Sequence, residues 1–147
     1  MSSEMRPLVI VAACIVSKGH VLITKRKSRL SRGEWELPGG KVNLGEKLED
    51  ALCREIWEEL HWNVTPVDLA HAQVNTYDDN GDDCLVLYYR CLPAYGCEYP
   101  YKPGSLSVSL WIGHTSVLRD LFCLPGTVEA IKKVLGEFGD KLKGEIR

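Results

Sequence analysis

The chain has 147 residues, 45% hydrophobic and 26% charged, which suits one globular domain over residues 1–147 and leaves no room for a second. Lys and Arg number 18 against 20 Asp and Glu, and a formal charge of −2 excludes the basic surface that a long nucleic acid needs, so a nucleotide ligand is expected to be small and held locally. The N-terminal MSSEMRP lacks the basic region of a signal peptide, Leu8 to Val16 is too short to span a bilayer, and the cysteines form no CxxC pair, which together point to a cytoplasmic protein with reduced thiols and no membrane partner.

Two β-branched runs, Leu8 to Val16 and Val21 to Thr24, flank Ser17-Lys18-Gly19-His20, where a glycine suits a short hairpin turn. The basic stretch Lys25 to Arg32 leads through Gly33 and Trp35 to Pro38-Gly39-Gly40, which reads as a tight loop. From about Lys47 to Leu60 neither Gly nor Pro occurs, and Leu52, Cys53, Ile56 and Leu60 recur at helical spacing, so an amphipathic helix is expected. The apolar runs Val67 to Val74, Cys84 to Leu92 and Leu106 to Ile112 are separated by Asp, Asn, Gly and Pro clusters, as strands joined by exposed loops are. The sheet they build is mixed or antiparallel. After Leu124-Pro125-Gly126, Thr127 is placed to cap a last helix whose residues Val128, Ile131, Val134, Leu135 and Phe138 share one side, and the tail from Gly139 to Arg147 is expected to fray. Strands alternating with helices predict an α/β sandwich rather than a bundle.

Glu55, Glu58 and Glu59 stand at i, i+3 and i+4 of the first helix, so their side chains leave one face next to the apolar stripe. Three like charges so close are costly. A solvated acidic face is the ordinary explanation of such a triplet, and a hard divalent cation that offsets the repulsion is the functional one, since Mg²⁺ takes oxygen ligands and keeps waters for chemistry. Gly39-Gly40 ahead of the helix permits a close backbone approach, so that a carbonyl there could face such a metal.

Together these features read Gly40-x5-Glu46-x7-Arg54-Glu55-Ile56-x-Glu58-Glu59-x-His61-Trp62, which closely resembles the Nudix box Gx5Ex7REUxEExGU, with U a bulky apolar residue. Trp35-Glu36-Leu37-Pro38-Gly39-Gly40 is similar to the lead-in of MutT-like members. The resemblance is tight over about residues 22 to 62, and it departs from the pattern at His61, where the box has the glycine that ends its helix in a left-handed conformation, and at Asn43, where many members carry an acid. Histidine tolerates that conformation better than most side chains.

The resemblance implies a Nudix-type α/β/α sandwich with a mixed central sheet. It also implies Mg²⁺, with Mn²⁺ as a substitute, on Glu55, Glu58, Glu59 and the Gly40 carbonyl. Arg54 and Glu46 would orient these ligands, Glu58 or Glu59 would serve as general base, and no covalent nucleophile is needed. The acidic loop Asp78 to Asp83 is an alternative source of the base. Arg26 corresponds to an arginine that contacts phosphate in MutT-like proteins, or is a solvated edge residue. Trp35 either stacks on a base or fills the core under the Pro38-Gly39-Gly40 loop. Thr127 falls near a base-reading asparagine of the 8-oxoguanine-cleaving members but lacks the paired amide donor and acceptor. His20, His61, His71 and His114 show no ligand spacing and are read as surface or turn residues.

The activity implied is conversion of a nucleoside triphosphate to the monophosphate and pyrophosphate. A larger dinucleotide-type substrate such as ADP-ribose, a dinucleoside polyphosphate or coenzyme A, and a nucleotide-binding module without turnover, stay open beside it. So does a homodimer.

Overall fold

The computed structural model describes residues 8–26, 34–76, 83–94 and 109–136. Strands β1 (Leu8–Ser17) and β2 (His20–Lys25) form the expected hairpin. Lys18 and Gly19 at its tip both have positive φ, 51° and 76°, which matches the turn to the twist of the strands. Two short strands follow, β3 (Trp35–Glu36) and β4 (Gly39–Lys41), then helix α1 (Leu48–Leu60). The long strands β5 (Val64–Thr76) and β6 (Asp83–Pro93) pair with each other, and β7 (Ser109–Ile112) precedes a 3₁₀ helix at Thr115–Asp120 and helix α2 (Thr127–Leu135).

The central sheet is mixed. β1 lies parallel to β6 from Leu8 opposite Cys84 to Ile15 opposite Cys91, whereas β4 runs antiparallel to β1 and β5 antiparallel to β6. β2 turns away with the last two residues of β1 and carries β3 and β7 as antiparallel partners.

Because side chains alternate along a strand, β1 feeds two cores. Val11, Ala13 and Ile15 meet Ala51, Leu52, Ile56 and Leu60 of α1 on one face. Ala12 and Cys14 meet Val86, Tyr88 and the α2 residues Ala130, Ile131 and Leu135 on the other. A helix on each face of a mixed sheet is the α/β/α sandwich expected.

Two local readings change. Gly39-Gly40 is strand rather than loop alone: β4 docks on β1 so closely that a Cβ on Gly39 would fall on the Val11 carbonyl oxygen. Thr127 does not cap α2. The cap is Gly126, left-handed at φ 88°, and Thr127 is the first helical residue, with a buried side chain that cannot reach back over the turn. The run Val67 to Val74 is a strand as expected, and because β5 forms the sheet edge it leaves Val67, Leu69 and Val74 about half exposed or more. Phe138 and the tail lie outside the described residues.

No helix of the described residues is long and apolar enough to cross a membrane. Five cysteines are described, Cys14, Cys53, Cys84, Cys91 and Cys123, and all five are free thiols.

Candidate active site

α1 brings its acidic face against β4, and one cation organises the contact. Arg54 grips Glu46 with two parallel bonds, Nε to Oε2 at 2.8 Å and Nη2 to Oε1 at 3.0 Å. Its Nη1 donates to both Glu55 Oε2 and Glu58 Oε1, each at 3.0 Å, while Nη2 also reaches the Lys41 carbonyl oxygen at 3.0 Å. The planar guanidinium thus ties the loop, the strand and three carboxylates together, which a lysine could not do. Glu46 is held further by the Asn43 amide at 3.0 Å. With Arg54 first and that amide second, its carboxyl is pulled down to about 2. The Asn43 side chain plays no part in that bond, so the absence of an acid at this position leaves the turn intact.

Gly40 is the residue of the box whose side chain must be missing. A Cβ there would fall on the Glu55 carboxylate, so the backbone of β4 and that carboxylate are in direct contact. Glu59 turns toward the same strand and accepts the Gly39 amide at 3.2 Å. Glu58 stands outermost, its side chain 58% exposed. As placed, these groups are spread around Arg54. Among the described residues no three His, Cys, Asp or Glu side chains converge as a metal cluster. The donor set still suits a hard cation: it is all oxygen, it gathers three carboxylates on one turn, and Gly40 keeps the space beside Glu55 clear of a side chain.

α1 ends as its sequence requires. His61 takes the left-handed conformation, φ 57° and ψ 34°, and its amide donates to the Trp57 carbonyl at 2.9 Å. Its ring lies 5.4 Å from that of Trp57.

A cavity of about 430 Å³ opens beside β4 on the α2 side of the sheet. Its walls include Gly39, Gly40, Lys41, Arg26 and Glu36 together with Leu8, Ile10, Tyr88, Pro125 and Thr127. Arg26, Gly40 and Thr127, far apart in sequence, therefore share one space. Trp35 does not belong to it. Only 9% exposed, it belongs to the same core cluster as Ile23, Leu37 and Ile112, so of the two places its sequence leaves open it takes the core. Its backbone is bridged to the segment before α2, the amide donating to the Phe122 carbonyl and the carbonyl accepting from the Leu124 amide.

Residues 5–101, well over half of the chain, match the NUDIX domain family. The chain belongs to the Nudix family. Over 90 residues this Nudix domain is 36% identical to a MutT-like protein of Streptomyces ambofaciens, covering 61% of the present chain and 54% of that one. It is 36% identical over 93 residues to the nucleoside triphosphatase NudI of Klebsiella pneumoniae, covering 58% and 66%. The chain thus spans somewhat more than half the length of these relatives. Among solved structures, the MutT Nudix hydrolase of Burkholderia pseudomallei is similar at a TM-score of 0.71 with 29% identity, over 88% of this chain and 99% of that one. A Nudix hydrolase of Nitrosomonas europaea has the same fold at a TM-score of 0.72 and 22% identity, over 88% of each chain.

Several residues around the site carry no signal in the sequence. Glu36, Lys41, Leu8 and Tyr88 become cavity walls through strand register alone, and a period-two pattern on β1 and β6 identifies only that one set of them faces α2. His71 is not an ordinary surface residue. It is half-buried on β5, with its ring 5.6 Å from that of Tyr88 and Nε2 2.7 Å from Gln73 Oε1. Of the acidic loop, Asp78, Asp79 and Asp82 lie outside the described residues, and Asp83 accepts a bond from the Thr76 hydroxyl at 2.5 Å.

Proposed function

We propose that this Nudix domain hydrolyses a phosphoanhydride bond in a nucleoside-diphosphate-linked molecule, with a nucleoside triphosphate as substrate and the monophosphate and pyrophosphate as products. The observation that carries this reading is continuity. The Gly39-Gly40-Lys41 backbone belongs at once to the carboxylate cluster and to the cavity, so a phosphate chain at β4 would have its nucleoside within the cavity.

Glu55, Glu58, Glu59 and the Gly40 carbonyl are the groups that would hold Mg²⁺ or Mn²⁺, which would neutralise phosphate charge and acidify the attacking water. Arg54 keeps Glu55 and Glu58 oriented in advance and is itself anchored by Glu46. Glu58 is exposed enough to exchange Arg54 for another partner, and Glu58 or Glu59 accepts the proton of the attacking water. Arg26, which lines the cavity together with Gly39, Gly40 and Lys41, supplies a phosphate contact. Thr127, which lines the same cavity, contributes a hydroxyl toward the base.

The test is product release from a panel of nucleoside triphosphates, ADP-ribose, dinucleoside polyphosphates and coenzyme A, with Mg²⁺, with Mn²⁺ and with excess chelator. Nucleoside triphosphates are expected to be cut only with metal, faster toward alkaline pH, and 8-oxo-dGTP no faster than dGTP because Thr127 lacks an amide. Full activity in chelator would sink the metal assignment. A thermal shift with every nucleotide and product from none would make the chain a binder.

A further inference from the structure

On the far side of the sheet from α1, a chain of polar side chains runs from the edge strand β5 to the cavity wall. Pro125 has only a carbonyl to offer, and two donors converge on it: Asn75 Nδ2 at 3.0 Å and the Tyr88 hydroxyl at 3.1 Å. That acceptor orients everything behind it. Asn75 must turn its amide nitrogen toward Pro125, which leaves its Oδ1 to accept from Gln73 Nε2 at 2.5 Å. Gln73 Oε1 then accepts from Nε2–H of His71 at 2.7 Å. Asn75 is 3% exposed and Tyr88 2%, so both donors are buried, where one left unmet is expensive.

The segment they hold is a wall of the cavity. Leu124, Pro125 and Thr127 line it beside Tyr88, and none of these walls is charged. Gly126 between them is left-handed, and a Cβ there would fall on the Tyr88 hydroxyl, so Tyr88 is seated directly against the turn that starts α2. The backbone ties this segment to β3 through the Leu124 amide, which donates to the Trp35 carbonyl at 2.8 Å, while the bonds from the Thr127 amide to the Leu124 carbonyl at 3.1 Å and from the Ala130 amide to the Gly126 carbonyl at 3.0 Å are internal to the turn. The side chains that fix Pro125 against the sheet are those of Asn75 and Tyr88.

We infer that Asn75 and Tyr88 are positioning residues for substrate selection: by fixing Pro125–Thr127 they set the shape of an uncharged stretch of the cavity wall, against which the base is held. This rests on the proposed nucleotide substrate. It assigns a role to residues outside the Nudix box and to a wall segment, 124–127, beyond the part of the chain that matches the family. A polar knot that merely docks α2 would lower stability when broken but would not tell one base from another.

The experiment compares wild type, Tyr88→Phe and Asn75→Ala on ATP, GTP, CTP and UTP at saturating Mg²⁺, with melting temperatures measured alongside. In Tyr88→Phe, which keeps the ring and loses only the hydroxyl, KM is expected to rise about fivefold for the preferred nucleotide with kcat nearly unchanged. The ratio of kcat/KM between purine and pyrimidine nucleotides should shift by about threefold or more. Asn75→Ala should do the same more strongly, and if it fails to fold, Tyr88→Phe decides alone. Wild-type KM values and an unaltered ranking of bases in a folded variant would overturn the inference, as would a fall in kcat alone. A wild-type protein that cuts none of the nucleotides would instead remove the proposed function, and this inference with it.

Discussion

Glu55, Glu58 and Glu59 crowd three negative charges onto one turn of α1, and Arg54 is what lets them stay. Sequence spacing alone suggests that removing one of them relieves repulsion and leaves the apo protein as stable or more so. The Arg54 bonds to Glu55 and Glu58 alter that balance, because Glu58→Gln gives up an ion pair as well as a repulsion. Glu58 is more than half exposed, so the pair is worth little and stability should stay within about 0.5 kcal/mol of wild type. Turnover should nevertheless fall by roughly a hundredfold or more, since Glu58 is assigned both to metal and to the proton. Glu59→Gln should lose as much activity, although it also weakens the bond to the Gly39 amide. Exposed Glu49→Gln on the same helix is the control. Wild-type kcat in both box variants at saturating Mg²⁺, measured by pyrophosphate release, would show the triplet to be a solvated face.

At the scale of the element, α1 can be read from its sequence nearly to the residue, because absence of Gly and Pro and a 3.6-residue apolar period are both local properties. Its end carries a cost. A left-handed non-glycine residue is strained by about 1 kcal/mol, and His61 sits where glycine would be unstrained. His61→Gly is therefore expected to stabilise the protein by about 0.5–1 kcal/mol, seen as a higher urea midpoint with an unchanged slope, and to leave turnover alone. A lower midpoint would mean that the ring contact with Trp57 outweighs the strain. α2 was less legible. Thr127 before an apolar stripe looks like a cap, yet the residue that turns the chain is Gly126, because Tyr88 from another strand occupies the place of its Cβ.

Across the whole molecule, the cysteines report on how the layers pack. Cys14 faces the α2 core and Cys91 the α1 core, each on a strand in the middle of the sandwich. Burial, before any neighbouring charge, raises the Cys14 thiol far above its usual range and pushes Cys91 up to about 12. The raised values mean negligible thiolate at neutral pH. In the folded protein an alkylating reagent should modify Cys53 and Cys123, both partly exposed, well before Cys14, Cys84 and Cys91, as peptide mapping by mass spectrometry would show. Early labelling of Cys14 or Cys91 would mean that the layers open readily.

The sequence by itself determined what depends on near neighbours: the hairpin at Lys18-Gly19, the span of α1, and the carboxylate triplet with Arg54 eight residues after Glu46. A long, specific motif made the family legible for the same reason, since its members share one loop and one helix. What only the tertiary structure decided depends on which strands meet. The parallel pairing of β1 with β6 brings Leu8 and Ile10 beside Cys84 and Val86 to floor the cavity. The burial of Trp35 in one core with Ile112 and Leu37 decides between the two places its sequence leaves open. The meeting of Asn75 and Tyr88 at the Pro125 carbonyl joins residues 50 and 37 positions apart. No spacing rule foretells such contacts, because they follow from the free energy of closing the whole sheet and burying both of its faces rather than from any local run of the chain.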